Sequence, residues 1–340
     1  MDQGLYKRYF LVMSDFSLYT RMQEHGTLAE KPSDIPDARF ALPATIHWMR
    51  ALAILVEDIG LDFKTAKKFY ANVQRRQLSD REINSVCEQL LFALHQLASL
   101  QAISDVKNKA DVARIGIVAW YYGVYGAASA MIAAGDGSFP DTHAATAQQW
   151  DRQFAAEGLA MPPFADRLSN LVQKTVEQEL VPARARGTHS LTILPASSQQ
   201  AWGCCAEYLS GTAKWEQWNI QERLLEHRDF KKLQVNNFRT KNARAMRDVW
   251  YSKRSIAFLH QASRYRGKAN YRDAIYLAYG KSVPKLVDGF IDDLAKVLRG
   301  FTVMVGGYVS MRMGRDHWSA FVDDIENMRS ISVSPKEIWS

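Results

Sequence analysis

Basic side chains able to meet an anion crowd into one segment of the chain, Arg228 to Arg272. It holds thirteen basic side chains: Arg228, Lys231, Lys232, Arg239, Lys241, Arg244, Arg247, Lys253, Arg254, Arg264, Arg266, Lys268 and Arg272. Only Asp229 and Asp248 oppose them, so the segment carries +11 in a chain of net +7, and the remainder is at −4. Cations at this density suit a polyanion, because each Lys or Arg that meets a phosphate releases condensed counterions. Phe230, Phe238, Trp250, Tyr251, Phe258, Tyr265 and Tyr271 alternate with the charges. Exposed aromatics of this kind stack on unpaired bases. Phe258 and Trp250 have apolar neighbours at helical spacing and are expected in the core instead. The candidate nucleic-acid contacts are Lys231, Lys232, Arg239, Lys241, Arg244, Arg247, Lys253, Arg264, Arg266, Lys268, Tyr271 and Arg272. No duplex-reading motif is present, so the expected partner is RNA or a single strand. A scaffold or complex subunit whose basic face meets RNA or an acidic protein is the alternative.

Other chemistries lack their residues. There is no Walker A lysine motif, GxGxxG or GxSxG, and no CxxC or HExxH. Three cysteines, Cys87, Cys204 and Cys205, make no disulfide framework, and eight histidines are scattered. No metal and no cofactor are expected. Asp292-Asp293 and Asp323-Asp324 read as solvated faces of amphipathic helices. The first residues, MDQGLYKRYF, lack the order of a signal peptide, and a reduced, cytoplasmic protein is expected.

The elements that must position these groups read as helices. After Arg114 come roughly twenty uncharged residues, enough by length to span a bilayer. They are rich in Gly and Ala rather than Leu and Ile, and no second such span accompanies them. A core helix is therefore expected, with Gly116, Gly123, Ala127 and Ala130 as a stripe that admits a close neighbour. It should stop at Gly135, and Asp141 or Thr142 should cap a second helix carrying His143 and Trp150. Ser79 and Glu82 form a capping box that opens a helix with Val86, Leu90, Leu94 and Leu97 inward. Further helices are expected over 45–58, from Leu61, over 164–180, 198–209, 212–235 and 241–263. A long one from Ser282 could bend at Gly306-Gly307, and a last one spans 316–328. Residues 6–22 are ambiguous between strand and helix, 26–43 read as a loop, and 190–194 read as a short strand or an extended connector. The class is all-α, an elaborated helical bundle.

The stretch WYYGVYGAASAM followed by His143 resembles the first helix pair of HEPN domains (higher eukaryotes and prokaryotes nucleotide-binding). The stretch RYRGKANYRDAIYLAYGKSVPKLVDGFIDDLAKVL resembles their later half, with Arg266, Ala269, Asn270 and Tyr271 in the motif positions. The resemblance implies an N-terminal helical region over 1–105, then a HEPN-like domain over 106–340 with an insertion at about 157–240. It also implies a compact bundle, often a homodimer or part of a protein complex, with no membrane. Many such domains are metal-independent endoribonucleases that use an Arg and a His separated by four to six residues. The His would serve the 2′-hydroxyl and leaving oxygen, and the Arg the charged transition state. Three pairs fit: Arg312–His317, where family members commonly carry the pair, then Arg254–His260, then Arg184–His189. Asn270 stands where Asp is commoner. A ribonuclease effector in prokaryotic defence is the function the resemblance implies, with Arg312 and His317 as first choice.

Overall fold

The computed structural model describes residues 41–271, Leu277 and 283–340. The expectations for 6–22 and for Arg272 lie outside the described residues, as do the side chains of Lys268 and Tyr271. Among the described residues every regular element is helical: α1 Ala41–Asp58, α2 Phe63–Phe69, α3 Asp80–Ser104, α4 Lys109–Asp136 and α5 His143–Trp150. A π-turn over Asp151–Ala155 precedes α6 Gln173–Ala185, α7 Ser198–Leu225, α8 Arg228–Lys231, α9 Lys241–Tyr251 and α10 Phe258–Tyr271. The chain closes with α11 Val283–Leu286, α12 Phe290–Met313, α13 Arg315–Met328 and α14 Pro335–Trp339. The all-α reading holds.

The bundle is built around α4 and α12. Both are buried along most of their length, and both carry small residues where the other helices come close. A Cβ on Gly116 would lie 2.6 Å from Ile291 Cδ1, and one on Gly123 2.6 Å from Leu298 Cδ2. Gly126 instead faces Phe92 of α3. The expected stripe therefore serves two neighbours on adjoining sides of α4. On α12, Gly300 receives Val56, Gly306 the Trp339 indole and Gly307 the backbone of Ala66. α12 runs unbroken through Gly306-Gly307, where the missing side chains admit α14 and α2. The single large core runs from Leu42 to Trp339 and includes residues on both sides of position 105. α4 is long and apolar enough to cross a membrane by composition, but 72% of its most apolar window is inside this core.

Ends follow side-chain chemistry. Ser79 and Glu82 form the capping box, with Ser79 N–H donating to Glu82 Oε2 at 2.7 Å. Thr142 caps α5. α4 runs one residue past Gly135 and ends at Gly137, whose φ of 81° is left-handed. Several expectations are corrected. α7 is one helix through Gly211, because its face from Ala201 to Leu224 stays buried. Residues 164–172 are not helical: Leu168 pairs with Ile256 through two backbone hydrogen bonds of 2.7 and 2.9 Å. Pro182 lies inside α6 rather than ending it, and Leu191–Leu194 form no strand. The helix expected over 241–263 breaks at 252–257, where Ile256 is held by Leu168. Asp293 is also not solvated: it is buried and accepts from Arg50 at 2.8 Å.

Substituting Gly307→Val drives a branched side chain into the backbone of Ala66. Overpacking of this kind should lower unfolding stability by about 1–3 kcal/mol, read from the urea midpoint, while an exposed control such as Lys253→Ala leaves it unchanged.

A candidate nucleic-acid cleft around Arg254 and His260

The two leading Arg–His pairs sit in different surroundings. Arg312 is near the end of α12 and points at the C-terminus of α4. Its guanidinium donates to three backbone carbonyls: Ala134 at 3.1 Å, Gly135 at 2.8 Å and Gln74 at 2.7 Å. Arg76 joins it, donating to Ala133 O at 3.4 Å and to Glu82 at 2.5 Å. Cations belong there, since the last carbonyls of a helix are unpaired and the end carries partial negative charge. His317 stands exposed on α13, beyond the Gly314 break. The third pair separates similarly: Arg184 contacts Glu207 and Ser210 from α6, while His189 is exposed in the following connection.

Arg254 and His260 flank the pinned Ile256 and line one cleft of about 390 Å³. The break between α9 and α10 is what creates it; a continuous helix would carry Arg254 elsewhere. α7 forms the opposite wall with Thr212, Trp215, Glu216 and Asn219, residues at helical spacing, and Trp218 at its edge. Glu216 is buried, and Arg254 Nε lies 3.0 Å from its Oε1. The contact is one of charge rather than an aligned hydrogen bond, since that Nε has no acceptor of its own. Arg223 is 3.6 Å from the same oxygen, and Asn219 donates to Oε2 at 3.3 Å. Arg264 donates to Thr212 Oγ1 at 2.9 Å and lies 5.7 Å from the Tyr208 and Trp215 rings. Trp218 is 55% exposed, an unusual position for an indole.

His260 is buried, and its Nδ1 accepts the Ala257 N–H at 3.1 Å. The neutral ring then carries its proton on Nε2 and acts as a donor. Burial, then the Arg254 charge, push its pKa down to about 4, against the pull of Asp151. Asp151 itself is gripped by Arg167 at 2.9 and 3.3 Å.

One turn along α10, the Arg266 guanidinium lies 5.0 Å from the Tyr121 ring and 5.7 Å from that of Tyr122. His143 packs against Tyr121, Tyr122 and Tyr125, and its Nδ1 is buried without a partner. Ser263 borders both groups, lining the cleft and hydrogen-bonding Tyr121.

The other basic candidates divide by partner. Lys231 pairs with Glu226, Lys232 with Asp229, and Arg247 with Asp248 while also covering the Tyr251 ring. Arg239, Lys241, Arg244 and Lys253 are exposed and, among the described residues, in no ion pair. The interleaved aromatics are mostly inward. Phe230, Tyr251 and Phe258 are buried; Phe238 packs on Phe230, and Trp250 on His227. The exposed aromatic of the cleft is instead Trp218 of α7, a helix outside the basic segment; the spacing of Trp215 and Trp218 beside Glu216 is its only signal in the sequence. The cysteines offer no nucleophile, burial pushing the Cys87 and Cys204 thiols up to about 11 and about 12. Among the described residues no group of His, Cys, Asp and Glu could hold a metal ion. Comparison with protein-family models, with curated proteins and with solved structures found no match.

Two predictions follow from these environments. Arg312→Ala should unfold at lower denaturant by about 1.5–3 kcal/mol, the range for hydrogen bonds to a charged group. A purely catalytic residue would leave the urea midpoint in place. His260 binds its proton more weakly folded than unfolded, so acid favours the unfolded chain. Stability should fall from about pH 6.5 to about pH 4, by on the order of 3 kcal/mol from this group. His260→Asn, which keeps an acceptor for the Ala257 N–H, should flatten that part of the pH–stability curve.

Proposed function

We propose that this protein binds RNA or single-stranded nucleic acid, and that the Arg254–His260 cleft holds one nucleotide of it. The observation that carries the reading is the exposed Trp218 beside a cleft lined by Arg254, Arg264 and a neutral, donating His260. The arginines suit a phosphate, the His260 Nε2 hydrogen a phosphate or sugar oxygen, and the indole a base face. Arg239, Lys241, Arg244 and Lys253 supply exposed charge along the neighbouring α9 region for flanking phosphates.

A metal-independent endoribonuclease of HEPN type, in prokaryotic defence, is the second reading. It is favoured by Arg254, His260 and the Glu216 carboxylate lining the same cleft, where Arg254 would oppose transition-state charge and the two others would handle protons. The two blocks that resemble HEPN domains meet in the fold, Tyr121-Tyr122 on α4 against Arg266 on α10. Within this reading the preferred pair is Arg254–His260, because Arg312 already serves three carbonyls.

A gel-shift titration of labelled single-stranded RNA tests both. Binding should weaken steeply with salt, and about tenfold or more when Arg239, Lys241 and Arg244 are reversed to Glu together. Trp218→Ala should cost about 1–3 kcal/mol of affinity if a base stacks there. Retention of RNA unaffected by either change would place the interface elsewhere. Cutting in EDTA that stops with His260→Ala but survives His317→Ala supports the ribonuclease; tight binding without cutting leaves a scaffold.

A further inference from the structure

A second cavity is built from α2, α12, α13 and α14, none of which lines the first. Its volume is about 820 Å³. Lys64 and Lys67 stand three residues apart on α2, and Arg315 opens α13 across from them. All three are exposed and, among the described residues, in no ion pair, whereas nearby Lys296 holds Glu57 and Lys336 holds Asp323. Among the described residues no Asp or Glu lines the cavity. Its apolar wall is aromatic: Phe63 and Trp318 lie nearly parallel, 5.9 Å apart, and Trp339 meets Trp318 edge-on at 5.2 Å.

Three unneutralised cations converging on one space call for an anion of more than one charge. A lone carboxylate would leave most of that field unanswered, whereas a phosphate or diphosphate presents several oxygens and about two or more negative charges. The aromatic wall adds a place for a flat apolar body, and the volume falls within the range of about 300–1,000 Å³ typical of small-molecule sites. We propose that this cavity binds a free nucleotide of the nucleoside-diphosphate class, with Lys64, Lys67 and Arg315 on the phosphates and the Phe63–Trp318 edge against the base.

The test uses the full chain and follows ADP, adenosine and inorganic pyrophosphate by isothermal titration calorimetry, with tryptophan fluorescence as a second readout because Trp318 and Trp339 wall the site. ADP should bind saturably and more tightly than either fragment. Lys67→Glu and Arg315→Glu should each weaken it about tenfold or more, the loss of one charge-assisted contact, with the circular dichroism spectrum unchanged. The neutral changes Lys67→Gln and Arg315→Gln should act in the same direction, which keeps the test valid if a reversal disturbs folding. Arg254→Ala, in the first cleft, should leave ADP affinity intact. Absence of ADP binding, affinity indifferent to these changes, or loss with Arg254→Ala instead would overturn the assignment. So would pyrophosphate or adenosine binding as tightly as ADP. Since the two cavities share no lining residue, either result leaves the RNA reading to its own experiment.

Discussion

Close approach between α4 and α12 is the constraint on which the rest of the structure depends. Glycine weakens a helix by about 1 kcal/mol relative to alanine, and each of these two helices carries several. Their helicity is therefore a product of packing rather than of local preference. Gly116 and Gly123 admit Ile291 and Leu298, and Gly300 and Gly307 admit Val56 and Ala66. Much of the bundle leans on this pair: α3, α5 and α10 against α4, and α1, α2, α3, α13 and α14 against α12, while α6, α8 and α9 pack on α7. Of the two cavities, one borders α12 through Ser310 and Met311, and the other is formed by the peripheral α5, α7 and α10 with the connection before α10.

The pair is also tied end to end by charge. Arg312 leaves α12 to reach the last carbonyls of α4, and Arg76 reaches them from the connection before α3. Arg76 N–H in turn donates to Arg312 O at 3.0 Å, so three segments meet at one helix terminus. An arginine satisfied by three carbonyls has little reason to leave them for a ligand. Arg254 differs: its partner is a carboxylate out of line with its Nε hydrogen, so that hydrogen has no acceptor of its own. The same Arg–His pattern thus means a cap in one place and a polar cleft in the other. Environment, which spacing does not encode, separates them.

What the sequence made legible was governed by local rules. The Ser79–Glu82 box, the Thr142 cap and the apolar stripe of α3 depend on residues within a turn or two, and the structure bears them out. The stripe on α4 announced a close neighbour but not that two helices would share it. Long-range contacts decided the rest. Gly211 and Gly306-Gly307 look like breaks until their burial is known, and nothing near Lys253 signals that Leu168, more than eighty residues earlier, ends the helix by pairing with Ile256. Charge was legible in quantity and not in distribution: Lys231, Lys232 and Arg247 meet acids nearby, leaving a smaller unpaired set of Arg239, Lys241, Arg244 and Lys253.

The segment 157–240 changes meaning in the folded chain. As an insertion it would be expected to decorate a bundle complete without it. Instead α7 packs along α1, stacking Tyr208 on Trp48 at 4.2 Å, and presents Trp215, Glu216 and Trp218 to Arg254 and His260. Residue 168, in the same segment, sets the break that positions Arg254. The cleft therefore exists only where the two parts of the chain meet. A cleft between opposed charges needs the buried carboxylate on one wall and a cation facing it on another. Dividing them between α7 and the α9–α10 connection meets that requirement, and it makes the geometry of the cleft a direct report on how well the two parts are docked.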